Sequence, residues 1–546
     1  MSMHGLHQYR QTSRAGCDTP DIESNGAPQE QQYGILWTPK HLADSTSTGI
    51  KPKILTEAAT ESTTESTTEA TTEATTEATT DSLSHQSASA SARLWSPKWA
   101  ARPKNLHRTA YLDGLRGFAA LLVYWHHHVL WVHNMDRLAQ NGIFENGFGY
   151  ESNYYFASLP GTRIFFSGGH LAVSVFFVLS GYVLSIKPWR LIEQDNDIGG
   201  LADHLRSAVF RRWIRLFLPV AATMFAYATS WHLFGLWVDR ANPQGSWLDE
   251  MWFLYCDFKN FSFVFKDGGV PWLSYSIHVW SIPVEFRGSM VVYASLLALS
   301  RCTVKARLWC QLALIGYFMY VADGWYCAMF VAGMLLSHLD MLAAADRLPI
   351  FLTQLKPYKS VICYHFLVLG VYLGGVPCQN RKIEQLASQR GWYFLSLLKP
   401  QAVFDYKWFY LFWAAVLLIT AVSNISGLKR AFETRICQYL GRISFAFYLV
   451  QGPLLWTMGD RLYAAVGFVS KTHLEHIPHW VNRLALPRTG PLGLELAFVL
   501  PQLFLLPATL CVAEFVTRTV DKPSVEFAAW LYGKTLHQMP QKHSLA

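Results

Sequence analysis

Apolar stretches about as long as a membrane is thick recur along most of this 546-residue chain. A helix of about 20 mostly apolar residues crosses the hydrocarbon core of a bilayer. Only 15% of the residues are charged, whereas soluble proteins have about 25%. These features exclude a string of soluble domains. We predict ten membrane-spanning helices, near residues 111–132, 164–186, 213–235, 281–300, 307–322, 324–341, 360–376, 406–424, 436–457 and 494–516.

Basic residues are concentrated in every second connection between the predicted spans. Arg108 precedes the first span, Arg211 and Arg212 precede the third, and Lys429 and Arg430 precede the ninth. Connections rich in lysine and arginine stay in the cytosol, so we expect both termini to be cytosolic. The net charge of +8 is explained by this membrane topology, and nucleic acid is not an expected partner. The predicted fold class is an all-α integral membrane protein, a bundle of about ten transmembrane helices.

The segment before the first span is polar and low in sequence complexity. Acidic residues recur at every fourth position between residues 57 and 81, among threonine, alanine and serine. This composition predicts a disordered cytosolic tail over residues 1–107. A transmembrane domain over 108–523 and a short cytosolic tail over 524–546 complete the expected organisation. The start lacks the apolar core of a cleavable signal peptide, so in a eukaryote we expect insertion through the first span into the endoplasmic reticulum or another endomembrane.

The first predicted span carries side chains that are costly in hydrocarbon. It contains Asp113, Arg116 and the consecutive histidines His126, His127 and His128. Eleven residues correspond to three helical turns plus 20° and a rise of roughly 16 Å, so His127 shares a helix face with Arg116 and its two neighbours do not. Charged groups within a span usually mark a functional site. Adjacent helical histidines cannot converge on one ion, and no metal site is expected.

Two interpretations of this span remain open. A neutral imidazole inside a bundle can act as a general base, which makes His127 a candidate. It can equally be a histidine that is hydrogen-bonded to another helix. Arg116 can serve a reaction, pair with Asp113 three residues earlier or extend to the lipid headgroups. The shared face of His127 and Arg116 favours the functional interpretation.

Six motifs carry a resemblance to a known family. In chain order they are LDGLRG at 112–117 with His127 following, FFVLSG at 176–181, RRWIRL at 211–216, WSIPVE at 280–285, YLGRIS at 439–444 and DKP at 521–523. Together they resemble the membrane acyltransferase-3 family over residues 108–523. One departure is Gln451, which stands where many members have histidine. The resemblance implies an integral membrane enzyme that transfers an acyl group, commonly acetyl from acyl-CoA, to a hydroxyl of a sugar, lipid or small natural product.

Candidate roles follow for the polar residues of these motifs. We expect His127 to act as the base, and Arg116 to orient the acyl donor or stabilise the oxyanion that forms on the thioester. Arg211, Arg212 and Arg215 are candidate ligands of the coenzyme A phosphates, because guanidinium groups bind such oxygens bidentately. Arginines at this position can equally serve to anchor the helix at the cytosolic surface of the membrane. Glu285 can orient His127, hold the acceptor hydroxyl or pair with Arg287.

Two other classes of function remain as alternatives. A proton-coupled secondary transporter would also bury histidine, arginine and glutamate in a bundle of this size, although the sequence shows no convincing internal repeat. A non-catalytic membrane protein with the same fold is the second alternative, and Gln451 is the only residue that suggests it. The expected partners are acyl-CoA, a hydroxyl-bearing acceptor and membrane lipids.

Overall fold

The computed structural model describes residues 106–135, 149–150, 153–194, 196–239, 241, 243–265, 271–378 and 382–536. All but two residues of the predicted tail over 1–107 therefore lie outside the described residues, as does the end of the chain from 537. Within these residues the regular structure is helical except for one small antiparallel ribbon, in which strand β1 (Gly149–Tyr150) pairs with strand β2 (Asn153–Tyr154).

Twelve helices of at least fourteen residues form the body of the described chain. They are α1 (Ala110–Met135), α2 (Gly169–Glu193), α3 (Ile198–Phe234), α4 (Trp247–Ser262), α5 (Ser281–Leu299), α6 (Val304–Tyr320), α7 (Trp325–Ala344), α8 (Lys359–Gly374), α9 (Lys407–Asn424), α10 (Arg435–Leu454), α11 (Leu496–Val516) and α12 (Lys522–Thr535). Ten of them lie at the positions of the predicted spans. The two additional helices are α4 and α12.

Shorter elements connect the long helices. Short α-helices cover Ile164–Ser167, Ile350–Gln354, Ile383–Ala387, Tyr393–Ser396, Ser426–Phe432, Asp460–Val466 and Lys471–His476. Single 3₁₀ turns cover Phe156–Ser158, Ile277–Trp280, Lys356–Tyr358 and Pro478–Trp480. π-Helical turns occur at Leu455–Gly459, directly after α10, and at Thr517–Asp521, which joins α11 to α12.

In the described part of the chain, five helices are long and apolar enough to cross a membrane. They are α2, α7, α9, the continuous helix Ile277–Leu299 that contains α5, and the continuous helix Leu496–Thr535 that contains α11 and α12. Helix α1 is not among them, because its charged residues and histidines lower its mean hydropathy. The membrane character of the protein is supported by these helices. That ten helices cross the bilayer, and that both termini are cytosolic, stay predictions.

Glycines allow two helix pairs to approach closely. A Cβ atom on Gly333 of α7 would lie 1.9 Å from the carbonyl oxygen of Val178 on α2. A Cβ atom on Gly117 of α1 would lie 2.3 Å from the backbone nitrogen of Gly441 on α10. Small residues at helix interfaces are typical of membrane bundles, where association depends on close van der Waals packing. These contacts hold α1, α2 and α10, each of which carries one of the polar motifs.

Helix α12 extends past the predicted domain boundary at residue 523. It packs against α3, where the rings of Tyr532 and Phe210 lie 5.4 Å apart between centroids. Pro523 lies just after the π-helical turn of this continuous helix, and its missing backbone N–H removes one hydrogen bond from the helical ladder there. The DKP motif therefore joins two helices, and its Asp521 ends the π-helical turn.

Candidate active site

A cavity of about 330 Å³ lies among helices α1, α2, α3, α5 and α10. Its wall combines apolar residues with an unusual density of charge. The charged and hydroxyl-bearing residues that line it are Asp113, Arg116, Ser180, Arg212, Arg215, Ser281, Glu285, Arg442, Ser444, Tyr448 and Asp521. All six sequence motifs thus contribute a polar residue to the lining of one cavity, and the FFVLSG motif does so through Ser180.

Helix α3 delivers two of the three predicted donor ligands to the cavity. Arg212 is buried, donates from Nη2 to Glu285 Oε1 over 2.6 Å, and donates from Nε to Ser289 Oγ over 2.9 Å. Arg215 lies one turn further along α3 and is exposed where it lines the cavity. Arg211 lies outside this lining, and its Nε donates to the carbonyl oxygen of Ser207 in its own helix.

The Arg212–Glu285 ion pair changes the expected surroundings of the carboxylate. Sequence reasoning considered an ion pair between Glu285 and Arg287, but the Nε atom of Arg287 donates to the carbonyl oxygen of Val264 over 2.9 Å. Both groups of the observed pair are largely buried, with side-chain exposures of 9% and 15%. Glu285 therefore fixes the guanidinium of Arg212 at the wall of the cavity.

Arg116 pairs with Asp113, as one interpretation of the sequence expects, and it also lines the cavity. Its Nη2 atom lies 3.1 Å from Asp113 Oδ1 and donates to the carbonyl oxygen of Gly441 over 3.1 Å. The side chain nevertheless lines the cavity, and its buried Nε has no hydrogen-bond partner among the described residues. The Nη2 atom of Arg116 is thus held by protein contacts, whereas its Nε atom has no partner among the described residues.

His127 lies beyond the cavity and stacks on a second histidine. Its ring and that of His278 are 3.6 Å apart between centroids and within 7° of parallel. The carbonyl oxygen of His278 accepts a hydrogen bond from the Tyr448 hydroxyl, which also lies 2.8 Å from Ser281 Oγ. Tyr448 and Ser281 line the cavity, whereas His127 itself is outside the lining. The histidine pair therefore lies one layer behind the cavity wall.

The three consecutive histidines diverge, as the helical periodicity predicts. The ring of His126 faces His170 at a centroid distance of 5.5 Å. His128 contacts the Tyr463 hydroxyl from Nδ1 over 2.7 Å and packs on the Tyr124 ring. Among the residues that the structure describes, no group of three or more His, Cys, Asp or Glu side chains could hold a metal ion.

Several residues of the site were missed by sequence reasoning. His278 lies in the connection before the WSIPVE motif, two residues before Trp280. This closeness to a motif was the sequence feature that could have indicated His278 as a site residue. Arg442 and Asp521 were quoted only as motif letters, yet both line the cavity. Arg442 also binds Glu514 through both terminal nitrogens, over 2.9 and 2.7 Å. Their roles depend on helices that are distant in sequence.

Comparison with known proteins identifies the family. The family model described as an acyltransferase domain, of the acyltransferase-3 type, matches residues 109–515. The chain belongs to this family. The predicted family and the predicted class of enzyme, an acyltransferase, are therefore confirmed, and the match favours acyl transfer over the transporter alternative. No solved structure matches the chain.

Three curated proteins illustrate the relationship. The chain is 29% identical over 476 residues to the O-acetyltransferase PaAT-1 of Phomopsis amygdali, covering 80% of this chain and 87% of that protein. It is 23% identical over 424 residues to the acyltransferase clz18 of Cochliobolus lunatus, covering 67% and 86%. It is 22% identical over 412 residues to the acyltransferase R4 of a Phoma species, covering 66% and 86%.

Proposed function

We propose that this protein transfers an acyl group, with acetyl as the preferred group, from acyl-CoA to a hydroxyl group of a small natural product, lipid or sugar. Membership of the family implies an acyl donor and an acceptor. The similarity to a protein named as an O-acetyltransferase supports oxygen as the accepting atom and acetyl as the group. The observation that carries the proposal is the cavity onto which Arg116, Arg212 and Arg215 converge.

The arginines suit a phosphorylated donor. Coenzyme A carries a pyrophosphate and a 3′-phosphate, and guanidinium groups bind phosphate oxygens through two parallel hydrogen bonds. Arg212 is held by Glu285, so its direction is fixed, whereas Arg215 lines the cavity at a more exposed position. We assign Arg215 to the donor phosphates and Arg212 to the wall that shapes their site. Glu285 then acts through Arg212 as a positioning residue.

His127 is the proposed general base. The acceptor oxygen forms a bond with the thioester carbonyl carbon, the carbon–sulfur bond breaks, and the hydroxyl proton passes through His127 to the departing thiolate. A positioned base typically accelerates such a step by about 10²- to 10⁴-fold. The unpartnered Nδ1 of His127 is available for that proton without breaking a hydrogen bond to the described part of the chain.

Arg116 is assigned to orienting the donor. It is eleven residues before His127 on the same helix, which corresponds to roughly 16 Å along the axis. That separation is too long for both side chains to contact one carbonyl group, and it matches a donor that extends along the cavity towards the histidine pair. The proposed membrane is the endoplasmic reticulum or another endomembrane, with the donor arriving from the cytosol.

The proposed activity is tested with purified protein in detergent and acetyl-CoA labelled in the acetyl group. Release of free thiol, together with transfer of label to a hydroxyl-bearing acceptor from an extract of the source organism, is the expected result. Heat-denatured protein serves as the control for non-enzymatic hydrolysis. If thiol release from acetyl-CoA and from longer acyl-CoAs stays at the level of this control, the proposal is wrong, and uptake by proteoliposomes would then test the transporter alternative.

A further inference from the structure

Helices α1 and α10 run in the same direction with a constant register. Gly114 would meet the Gln438 side chain if it carried a Cβ, Gly117 faces Gly441, and the ring of Tyr124 stacks on Phe447 at 5.4 Å. Each pair is separated by 323 or 324 positions. Continuing the same register by one turn places Gln451 of α10 level with His127 of α1.

Neighbouring contacts agree with this placement. Gly452, next in the chain, would meet Nδ1 of His278 if it carried a Cβ, at 2.7 Å. Tyr448, three residues before Gln451, donates to the carbonyl of that same histidine. His278 is the residue on which His127 stacks. Gln451 therefore belongs to the surroundings of the proposed base.

Gln451 carries a buried side-chain amide. It is 1% exposed, and neither its Oε1 nor its Nε2 finds a partner within the described part of the chain. Leaving a buried polar group unsatisfied costs about 1–3 kcal/mol, and such groups are few in folded proteins. An amide that combines an unused acceptor with an unused donor, beside a base whose Nδ1 is also unused, indicates a ligand.

A second glutamine in the same bundle provides the contrast. Gln502 of α11 is also buried, at 6% exposure, but its Oε1 accepts from the Tyr124 hydroxyl over 2.8 Å and its Nε2 donates to the Tyr463 hydroxyl. Both amide atoms of Gln502, which has a structural role, therefore have hydrogen-bond partners within the bundle. The amide of Gln451 is not satisfied in this way.

We propose that Gln451 and His127 form the two halves of an acceptor subsite for a molecule with two neighbouring oxygens. The reacting hydroxyl lies against His127, and a second hydroxyl on an adjacent carbon bonds to the amide of Gln451. Because His278 contacts both His127 and the turn of α10 that carries Gln451, we place the oxygens that the two side chains hold on neighbouring carbons. The subsite thus selects 1,2-diols over isolated alcohols. This inference rests on the proposed acyltransferase function for the identity of its ligand.

The first test measures the stability of the purified protein without acceptor. Gln451→Leu keeps the volume and removes an unsatisfied amide, so we expect an apparent Tm equal to or above that of the wild type. Gln502→Leu is the matched control and should lower the apparent Tm, because it removes the acceptor of the Tyr124 hydroxyl and leaves the Tyr463 hydroxyl with His128 but without the amide donor. If Gln451→Leu lowers the Tm as much as the control does, the amide has a structural partner and the inference is wrong.

The second test uses two probes that differ by one hydroxyl, cis-1,2-cyclohexanediol and cyclohexanol. Binding to the folded state raises the apparent Tm, and we expect a larger rise with the diol than with the alcohol in the wild type. In Gln451→Leu the two probes should act alike. In acetyl transfer the wild type should favour the diol about tenfold, which corresponds to 1.4 kcal/mol. Equal effects of the probes on the wild type, or a diol preference that survives in Gln451→Leu, would overturn the subsite.

The thiol-release assay separates the failure of this inference from failure of the proposed function. If no acyl-CoA is turned over but both stability results are as expected, the acyltransferase mechanism fails and the diol site stands as a binding site. If acetyl-CoA is turned over and Gln451→Leu destabilises the protein, only the subsite fails.

Discussion

The imidazole of His127 lies flat against that of His278, with the ring centroids 3.6 Å apart and the planes 7° from parallel. One ring belongs to helix α1, and the other to the 3₁₀ turn Ile277–Trp280 that leads into α5. The second ring is held in turn by the Tyr448 hydroxyl at its backbone and by the Trp456 ring, whose centroid is 4.7 Å away. This stack restricts the proposed base to one plane, and such a fixed orientation favours catalysis.

Replacing the proposed base should abolish acyl transfer without unfolding the protein. We expect His127→Ala to lower the rate of transfer by about 10²- to 10⁴-fold, the usual contribution of a positioned base, while expression and membrane insertion persist. The control is His365→Ala, because His365 is exposed on helix α8. Rates of labelled acetyl transfer by the two variants provide the comparison. Activity of His127→Ala near that of the control would remove His127 from the mechanism.

Arg215 and Arg211 should differ in their effect on the donor. Loss of a charge-assisted hydrogen bond to a phosphate costs about 1.5–3 kcal/mol, so Arg215→Ala should raise the donor KM by about 10- to 100-fold and change the acceptor KM less. Arg211→Ala removes the same charge outside the cavity lining and should leave the donor KM within about threefold, since a charge that does not contact the donor interacts with it only weakly through solvent. Steady-state kinetics with varied acetyl-CoA measure both. Equal donor KM values for the two variants would contradict the assignment.

The Arg212–Glu285 ion pair should be more sensitive to the loss of one partner than to the loss of both. Removing one partner of a buried pair costs about 3–5 kcal/mol, because the other charge is left buried and uncompensated. We therefore expect Arg212→Met and Glu285→Gln each to lower the apparent Tm in detergent. The double variant should lose less than the sum of the single losses. Additive losses would show that the two groups do not stabilise each other.

A methyl group at the contact between α2 and α7 should destabilise the bundle. The Cβ of Gly333→Ala would lie 1.9 Å from a backbone carbonyl oxygen of Val178, which requires the helices to separate, and overpacking of this kind costs about 1–3 kcal/mol or more. Gly316→Ala in α6 is the control, because no atom lies within 4 Å of its added Cβ. That variant should be neutral or more stable, since alanine favours helix by about 0.5–1 kcal/mol. Thermal unfolding in detergent measures both.

The predicted topology places two glycosylation sequons on opposite sides of the membrane, so only one of them should be modified. Asn260, in the sequence Asn-Phe-Ser, is exposed at the end of α4 in a predicted outward loop, whereas Asn424, in Asn-Ile-Ser, is exposed at the predicted cytosolic end of α9. Only Asn260 should carry a glycan after expression in a eukaryotic host. Sensitivity of the gel mobility to a glycosidase, compared between Asn260→Gln and Asn424→Gln, checks this. A glycan at Asn424 alone would invert the topology.

Much of the candidate site was predictable because its residues are out of place in an apolar sequence. Asp113, Arg116 and Glu285 are charges within or beside predicted spans, and a charge in that setting needs a partner or a function. Arg215 was predictable as the arginine furthest into its span. The same reasoning did not find His278, which lies in a connection where a histidine has no evident cost. It also proposed Arg287 as an alternative partner of Glu285, whereas the structure provides Arg212.

The sequence by itself determined where ten of the twelve long helices of the described chain lie, because a backbone within hydrocarbon must satisfy its own hydrogen bonds, and a helix does so locally. It also determined that His126, His127 and His128 point in three directions, since the helical period is local as well. Only the tertiary structure decided which polar side chains meet. The pairing of Arg212 with Glu285, the stacking of His127 on His278 and the isolation of Gln451 depend on the packing of separate helices. That packing is set by shape, through contacts such as Gly117 with Gly441, and the order of residues along one helix does not encode it.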